Sequence, residues 1–181
     1  MENFKIPPMT YSYDSNCDSI IIYNATTESF KDFEYPKGLD SISIQGDYLD
    51  HLDVPEGVTS VALGPLGLRT LKLPDGIEYV YVGYNNLREI ELPTSIIMVD
   101  LGNNPLYHLK FRGEPKELAR LELRNTHIHQ LYVKIPSDCC IDIDGTPLKR
   151  LAHVSKEVRD AYFKNNYHGD GYNSDNWRYI G

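Results

Sequence analysis

Residues 39–57 read LDSISIQGDYLDHLDVPEG, 58–76 read VTSVALGPLGLRTLKLPDG and 77–95 read IEYVYVGYNNLREIELPTS. These units share one length, 19 residues, and one pattern, LxxLxLxxNxLxxLxLPxG. Self-similarity at so short a period predicts a solenoid in which each coil buries its apolar side against the next. The pattern extends outward in both directions. Residues 96–117, IIMVDLGNNPLYHLKFRGEPKE, keep it with three extra residues at the end, and 118–137, LARLELRNTHIHQLYVKIPS, keep it with one. A shorter copy, CIDIDGTPLKRLAHV, follows at 140–154, and SIIIYNATTESFKDFEYPKG at 19–38 is a degenerate leading coil around an insertion. The expectation is about seven coils over residues 19–154.

Each conserved place in the unit has a mechanical reason. The x-L-x-L alternation is a short strand with every second side chain inward. Ile42 and Ile44, Val61 and Leu63, Val80 and Val82, Val99 and Leu101, Leu121 and Leu123, and Ile141 and Ile143 form the inward ladder. The bend after the strand is occupied by Asp47, Asn85, Asn104, Thr126 and Thr146. Leu66 interrupts that series, so its coil is expected to bend differently. Leu49, Leu68, Leu87, Leu106, Ile128 and Leu148 then turn inward, and Pro55, Pro74, Pro93 and Pro136 end the second extended segment.

The pattern resembles a leucine-rich repeat, in which the bend residue is an Asn bonded to neighbouring backbone. Repeats of that family run from about 20 to 29 residues, and 19 leaves no room for a helix on the convex side. That side is expected to be extended, opposite a parallel sheet. The short unit with its LP pair is most similar to repeats of secreted effectors of enteric bacterial pathogens. Those effectors carry a large C-terminal catalytic domain, and none is expected within these residues, so the resemblance implies no ubiquitin-ligase activity here. The fold class expected is therefore mainly β: a leucine-rich-repeat solenoid with a parallel sheet on one face and a short C-terminal capping helix.

A stack of coils leaves apolar edges at both ends. Residues 1–18, with Pro7, Pro8 and two tyrosines, are expected to cap one end. Residues 155–181 cap the other: SKEVRDAYFKNN places Val158, Ala161 and Tyr162 at helical spacing behind Ser155 as N-cap. Tyr167, Tyr172, Trp177 and Tyr179 beyond it are expected to pack on that cap rather than protrude as a docking tail.

The chain has 181 residues, enough for one domain, and a net charge of −8. All of the excess lies in residues 1–57, with 11 acids against 3 bases. An acidic third argues against direct nucleic-acid binding, which rests on Lys and Arg neutralising phosphates. Nothing in the sequence marks a membrane span or a signal peptide, so no membrane partner and a cytoplasmic location are expected. Cys17, Cys139 and Cys140 fit neither a disulfide framework nor a zinc site and read as free thiols.

Chemistry-bearing groups are sparse. His108, His127 and His129 lack the further ligands of a metal site and read as surface histidines. Cys139 and Cys140 point to opposite sides of a strand, one inward and one exposed. Asp100, Glu122 and Asp142 stand in line on successive coils, close enough for an acid/base pair or a divalent ion. Arg120 and Arg124 beside them make a mixed-charge surface the simpler reading, and a sheet this small is expected to hold no concave pocket. No catalytic residue, cofactor or metal is assigned.

The outward strand positions carry the functional signal. They run Ser41 and Ser43, Ser60 and Ala62, Tyr79 and Tyr81, Met98 and Asp100, Arg120 and Glu122, then Asp142. The face grades from small and polar through aromatic to charged. Tyr, Met and Arg are enriched at interface centres, so Tyr79, Tyr81, Tyr84, Met98, Asp100, Arg120, Glu122 and Arg124 are the candidate partner contacts. The function this predicts is non-catalytic binding of one protein partner, by occlusion or scaffolding. By analogy with small repeat proteins of viruses and bacteria, the partner would be a host factor. The alternatives are a structural, self-assembling component and an enzyme using the acid row.

Overall fold

A computed structural model describes residues 8–16, 18–150 and 154–166. Cys17 and the aromatic tail from Tyr167 to Tyr179 fall outside the described residues, as does the side chain of Asp47. The order of elements is β1 Thr10–Asp14, β2 Ser19–Thr26, α1 Thr27–Phe30, β3 Ser41–Tyr48, β4 His51–Asp53, β5 Ser60–Leu63 and β6 Thr70–Lys72. It continues with β7 Tyr79–Tyr81, β8 Glu89–Leu92, β9 Met98–Asp100, β10 His108–Phe111, β11 Arg120–Glu122, β12 Cys140–Asp142, a 3-10 turn Pro147–Arg150 and α2 Lys156–Asn166.

One strand from each coil joins a single sheet in the order β1-β2-β3-β5-β7-β9-β11-β12. From β2 onward every neighbour is parallel, seven strands enclosing about six turns of a β-solenoid. The alternation in sequence becomes alternation in space: Ile42, Val61, Val80, Val99, Leu121 and Ile141 stand in register and are wholly or almost wholly buried. The second inward positions, from Ile44 to Ile143, and the post-bend series from Leu49 to Leu148 are buried as well. The convex side is extended, as expected, and partly paired. β4 pairs with β6 and β8 with β10, each pair parallel, with no pairing between β6 and β8.

The bends follow one rule. The residue just before the bend Asn or Thr takes a left-handed backbone: Tyr84, Asn103, Asn125 and Gly145 have φ of 60°, 56°, 54° and 71°. In the Leu66 coil that place is Pro65, whose ring fixes φ negative. The left-handed turn moves on to Gly67, at φ 77°, so this coil does bend differently. At the far corner the carbonyls of Pro55, Pro74 and Pro136 accept from the N–H three residues on, reversing the chain. Gly46 answers to close approach instead: a Cβ there would lie 2.4 Å from the Ala25 carbonyl oxygen, where β2 and β3 shift register.

The two ends are closed differently. β1 adds antiparallel to β2, and Tyr11 meets Phe33 edge-on at 5.7 Å within a cluster of Phe30, Phe33 and Tyr35 packed against the core. The leading coil's insertion forms α1, a single turn with Thr26 and Ser29 in a reciprocal capping box. At the other end α2 lies over the last coil, burying Val158, Ala161, Tyr162 and Phe163. Ser155 Oγ accepts from the Val158 N–H at 3.4 Å, the N-cap read from sequence, and donates to the Val133 carbonyl at 2.7 Å.

Candidate functional site

The outward side of the sheet consists of two straight rows set by strand register. One runs Ser41, Ser60, Tyr79, Met98, Arg120 and Cys140, the other Ser43, Ala62, Tyr81, Asp100, Glu122 and Asp142. Six of the eight residues anticipated as partner contacts are thus neighbours in these rows, and Tyr84 and Arg124 lie just past the strand ends. Tyr79 and Met98 are half-buried, Tyr81 is 43% exposed, and its hydroxyl lies 3.8 Å from Met98 Sδ. Tyr84, 68% exposed, stands at the bend beside this patch.

Tyr84 is the anomaly of the set. Asn and Gly tolerate a left-handed backbone, and the three coils that follow use them at this place. A bulky side chain there costs about 1–2 kcal/mol, and such strain collects at functional sites.

The charged half is a network of ion pairs. Arg120 Nε donates to Glu122 Oε1 at 2.6 Å, and its Nη2 reaches the same oxygen. Arg124 grips Asp142 Oδ2 through Nε at 3.0 Å and Nη2 at 2.5 Å. These partners hold both guanidinium groups above their ordinary pKa. The mixed-charge surface read from sequence is therefore present. Asp100 differs from its neighbours in having no arginine bonded to it among the described residues. Its Oδ1 accepts from the Gly102 N–H at 2.8 Å, and a side chain at Gly102 would come within 3.1 Å of that oxygen. Burial, aided by the Glu122 carboxylate, pushes the Asp100 carboxyl above its ordinary value despite that N–H and the nearby Arg120 and Arg124.

The expectation of no concavity is wrong. Tyr81, Met98, Val99, Asp100, Arg120 and Glu122 line a depression of about 240 Å³. Its cause is side-chain length: Asp100 is short and lies in its row between Tyr81 and Glu122, which are long. On the other side of Tyr81, the small residues Ser43, Gly46, Ala62 and Gly64 leave a second, more open hollow of about 420 Å³. Tyr81 is thus a ridge between two depressions. A further departure lies at the start of the sheet. Ile21 and Tyr23 of β2 point outward and are exposed, so the face begins apolar rather than small and polar. The alternation IIIY at 20–23 carried that signal, within a coil whose insertion hid its register.

The remaining chemical groups are dispersed. His108, His127 and His129 are exposed, with His127 edge-on to Tyr107 at 4.9 Å. Cys139 is buried, its thiol pushed up to about 12 by burial, while Cys140 is exposed. The described residues contain no cluster of three His, Cys, Asp or Glu able to hold a metal ion, and no helix long and apolar enough to cross a membrane. No family model, curated protein or solved structure matches the chain.

Proposed function

We propose that the chain is a leucine-rich-repeat protein whose sheet face binds a protein partner without catalysis, occluding or scaffolding it inside a cell. The observation that carries this reading is the exposed Tyr81 in the middle of the sheet with the exposed Tyr84 at the bend beside it, the latter kept on a left-handed backbone that suits it poorly. Large aromatic side chains anchor interfaces at little entropic cost. The polar and charged residues around them supply a rim. Seven strands at about 4.8 Å spacing make a face near 30 Å long, enough for the roughly 800 Å² per partner of a standard interface. The acidic first third of the chain favours a protein over a nucleic acid.

Capture from a lysate of the native source, with wild type beside a Tyr79→Ala, Tyr81→Ala chain of verified fold, tests this. The reading predicts a partner retained by the first and lost by the second. A partner retained by both sends the contact elsewhere. Self-assembly is the second reading, favoured by β1: all five residues are exposed, and the strand has no neighbour on its outer side among the described residues. Mass that rises with concentration in sedimentation would support it.

A further inference from the structure

The depression beside Tyr81 has a chemical character of its own. Met98 contributes a thioether and Tyr81 an aromatic ring, Val99 borders it from the strand backbone with its side chain buried on the inward side, and its rim holds two carboxylates against one guanidinium. Two carboxylate oxygens are unspent. Asp100 gives Oδ1 to the Gly102 N–H, and Arg120 places both of its contacts on Glu122 Oε1. Asp100 Oδ2 and Glu122 Oε2 carry no hydrogen bond among the described residues, and Arg124, the next cation along, is turned to Asp142.

A bare divalent ion fits this poorly, because hard cations take six or more oxygens and much of the wall is apolar. A long cationic side chain fits well. Its stem gains from apolar contact and its head from the carboxylates and the ring face, and about 240 Å³ is several times the roughly 30 Å³ of one water molecule. We propose that the depression receives a single basic side chain, lysine or arginine, from the surface of the partner protein, with its stem along Met98 and Tyr81 and its head between Asp100 and Glu122. This rests on the reading of the sheet face as a protein-binding surface and adds the chemistry of the contact. It sets a positive charge between two carboxylate oxygens that carry no hydrogen bond among the described residues.

The test is an NMR titration of the full chain with Nα-acetylarginine methylamide, and with the citrulline analogue, which has the same shape and no charge. The arginine probe is expected to move the Met98 methyl and Gly102 amide signals along a saturating curve. Citrulline is expected to bind at least about tenfold more weakly. Asp100→Asn, which retains an acceptor for Gly102, and Glu122→Gln should each abolish the local shifts in a chain whose spectrum is otherwise native. Any of four results overturns the proposal: equal shifts from citrulline, shifts unchanged in both variants, the same shifts produced more readily by magnesium or calcium chloride, or no local shift up to the solubility limit. If the Tyr79→Ala, Tyr81→Ala chain still loses its captured partner when the arginine probe fails, the binding face stands and the basic side chain falls.

Discussion

The middle coils and the C-terminal coils solve the same bend with different side chains. Asn85 is buried and makes five hydrogen bonds. Its Oδ1 accepts from the N–H groups of Leu66 and Leu68, and its Nδ2 donates to the carbonyls of Gly64, Val82 and Gly83. Asn104 likewise accepts from Leu87 and donates to Val82, Leu101 and Gly102. Both amides therefore stitch a coil to the one before it. Thr126 and Thr146, equally buried at the same place, each donate once, to Leu123 and Ile143 three residues back in their own coil. A hydroxyl with one proton closes a bend, whereas a carboxamide with two donors and an acceptor also ties neighbours together. The aromatic patch sits on coils tied by buried amides, whereas the threonine coils are tied to their neighbours by the strand ladder, by α2 and by exposed contacts, Asn125 Nδ2 donating to Asn103 Oδ1 at 2.9 Å and Arg124 to Asp142.

This contrast predicts unequal costs. Asn85→Ala strands two buried N–H donors and is expected to lose about 3–5 kcal/mol in urea unfolding, against about 1 kcal/mol for Thr126→Ala. Equal losses would break the comparison. Ser155→Ala, which removes the cap holding α2 to the last coils, is expected to cost about 1 kcal/mol. Amide exchange should quicken around Leu123 and Ile143 and leave Val80 and Val99 protected, and a uniform change would mean that the stack melts as one unit. Tyr84→Asn relieves the left-handed strain, raising stability by about 1 kcal/mol while weakening partner binding. A loss of stability there would show that the ring supports the fold.

The smallest effect concerns Asp100. Its folded-state carboxyl is raised, so its contribution to stability is complete below the unfolded value near 3.8 and is lost as pH rises through the folded one. Asp100→Asn is therefore expected to be slightly more stable than wild type at neutral pH, by less than about 1 kcal/mol after solvent screening. The gap should close in acid, as followed by urea midpoints across pH. A gap that widens in acid would mean that the carboxylate is stabilising.

Much of this was legible in the chain because it repeats. Inward residues such as Val61 and Val80 lie 19 apart, and that spacing alone places them in register. The bend series was equally plain, since a polar residue recurring inside an apolar pattern needs backbone to bond. The Pro65 coil was flagged by Leu66 without revealing that the turn would move to Gly67. The depression was hidden because it arises from the relative lengths of Tyr81, Asp100 and Glu122 on three different strands, a lateral relation invisible along any one of them. Pairing on the convex side was hidden for the opposite reason: Leu52, Leu71, Ile90 and Leu109 mark every coil alike, and only some of the strands join. The insertion in the leading coil concealed α1 and the outward Ile21 and Tyr23.

The central claim is that partner contact is made by the sheet face over the coils tied by buried amides. It is tested most directly by placing a photo-crosslinking phenylalanine at position 81, 84 or 132 and irradiating in a lysate of the native source. Tyr132 is the control, an exposed tyrosine on the other side of the coils beside Phe111 and Val133. The account predicts one crosslinked partner shared by positions 81 and 84 and absent at 132. A partner captured equally at all three positions, or at 132 alone, would contradict it.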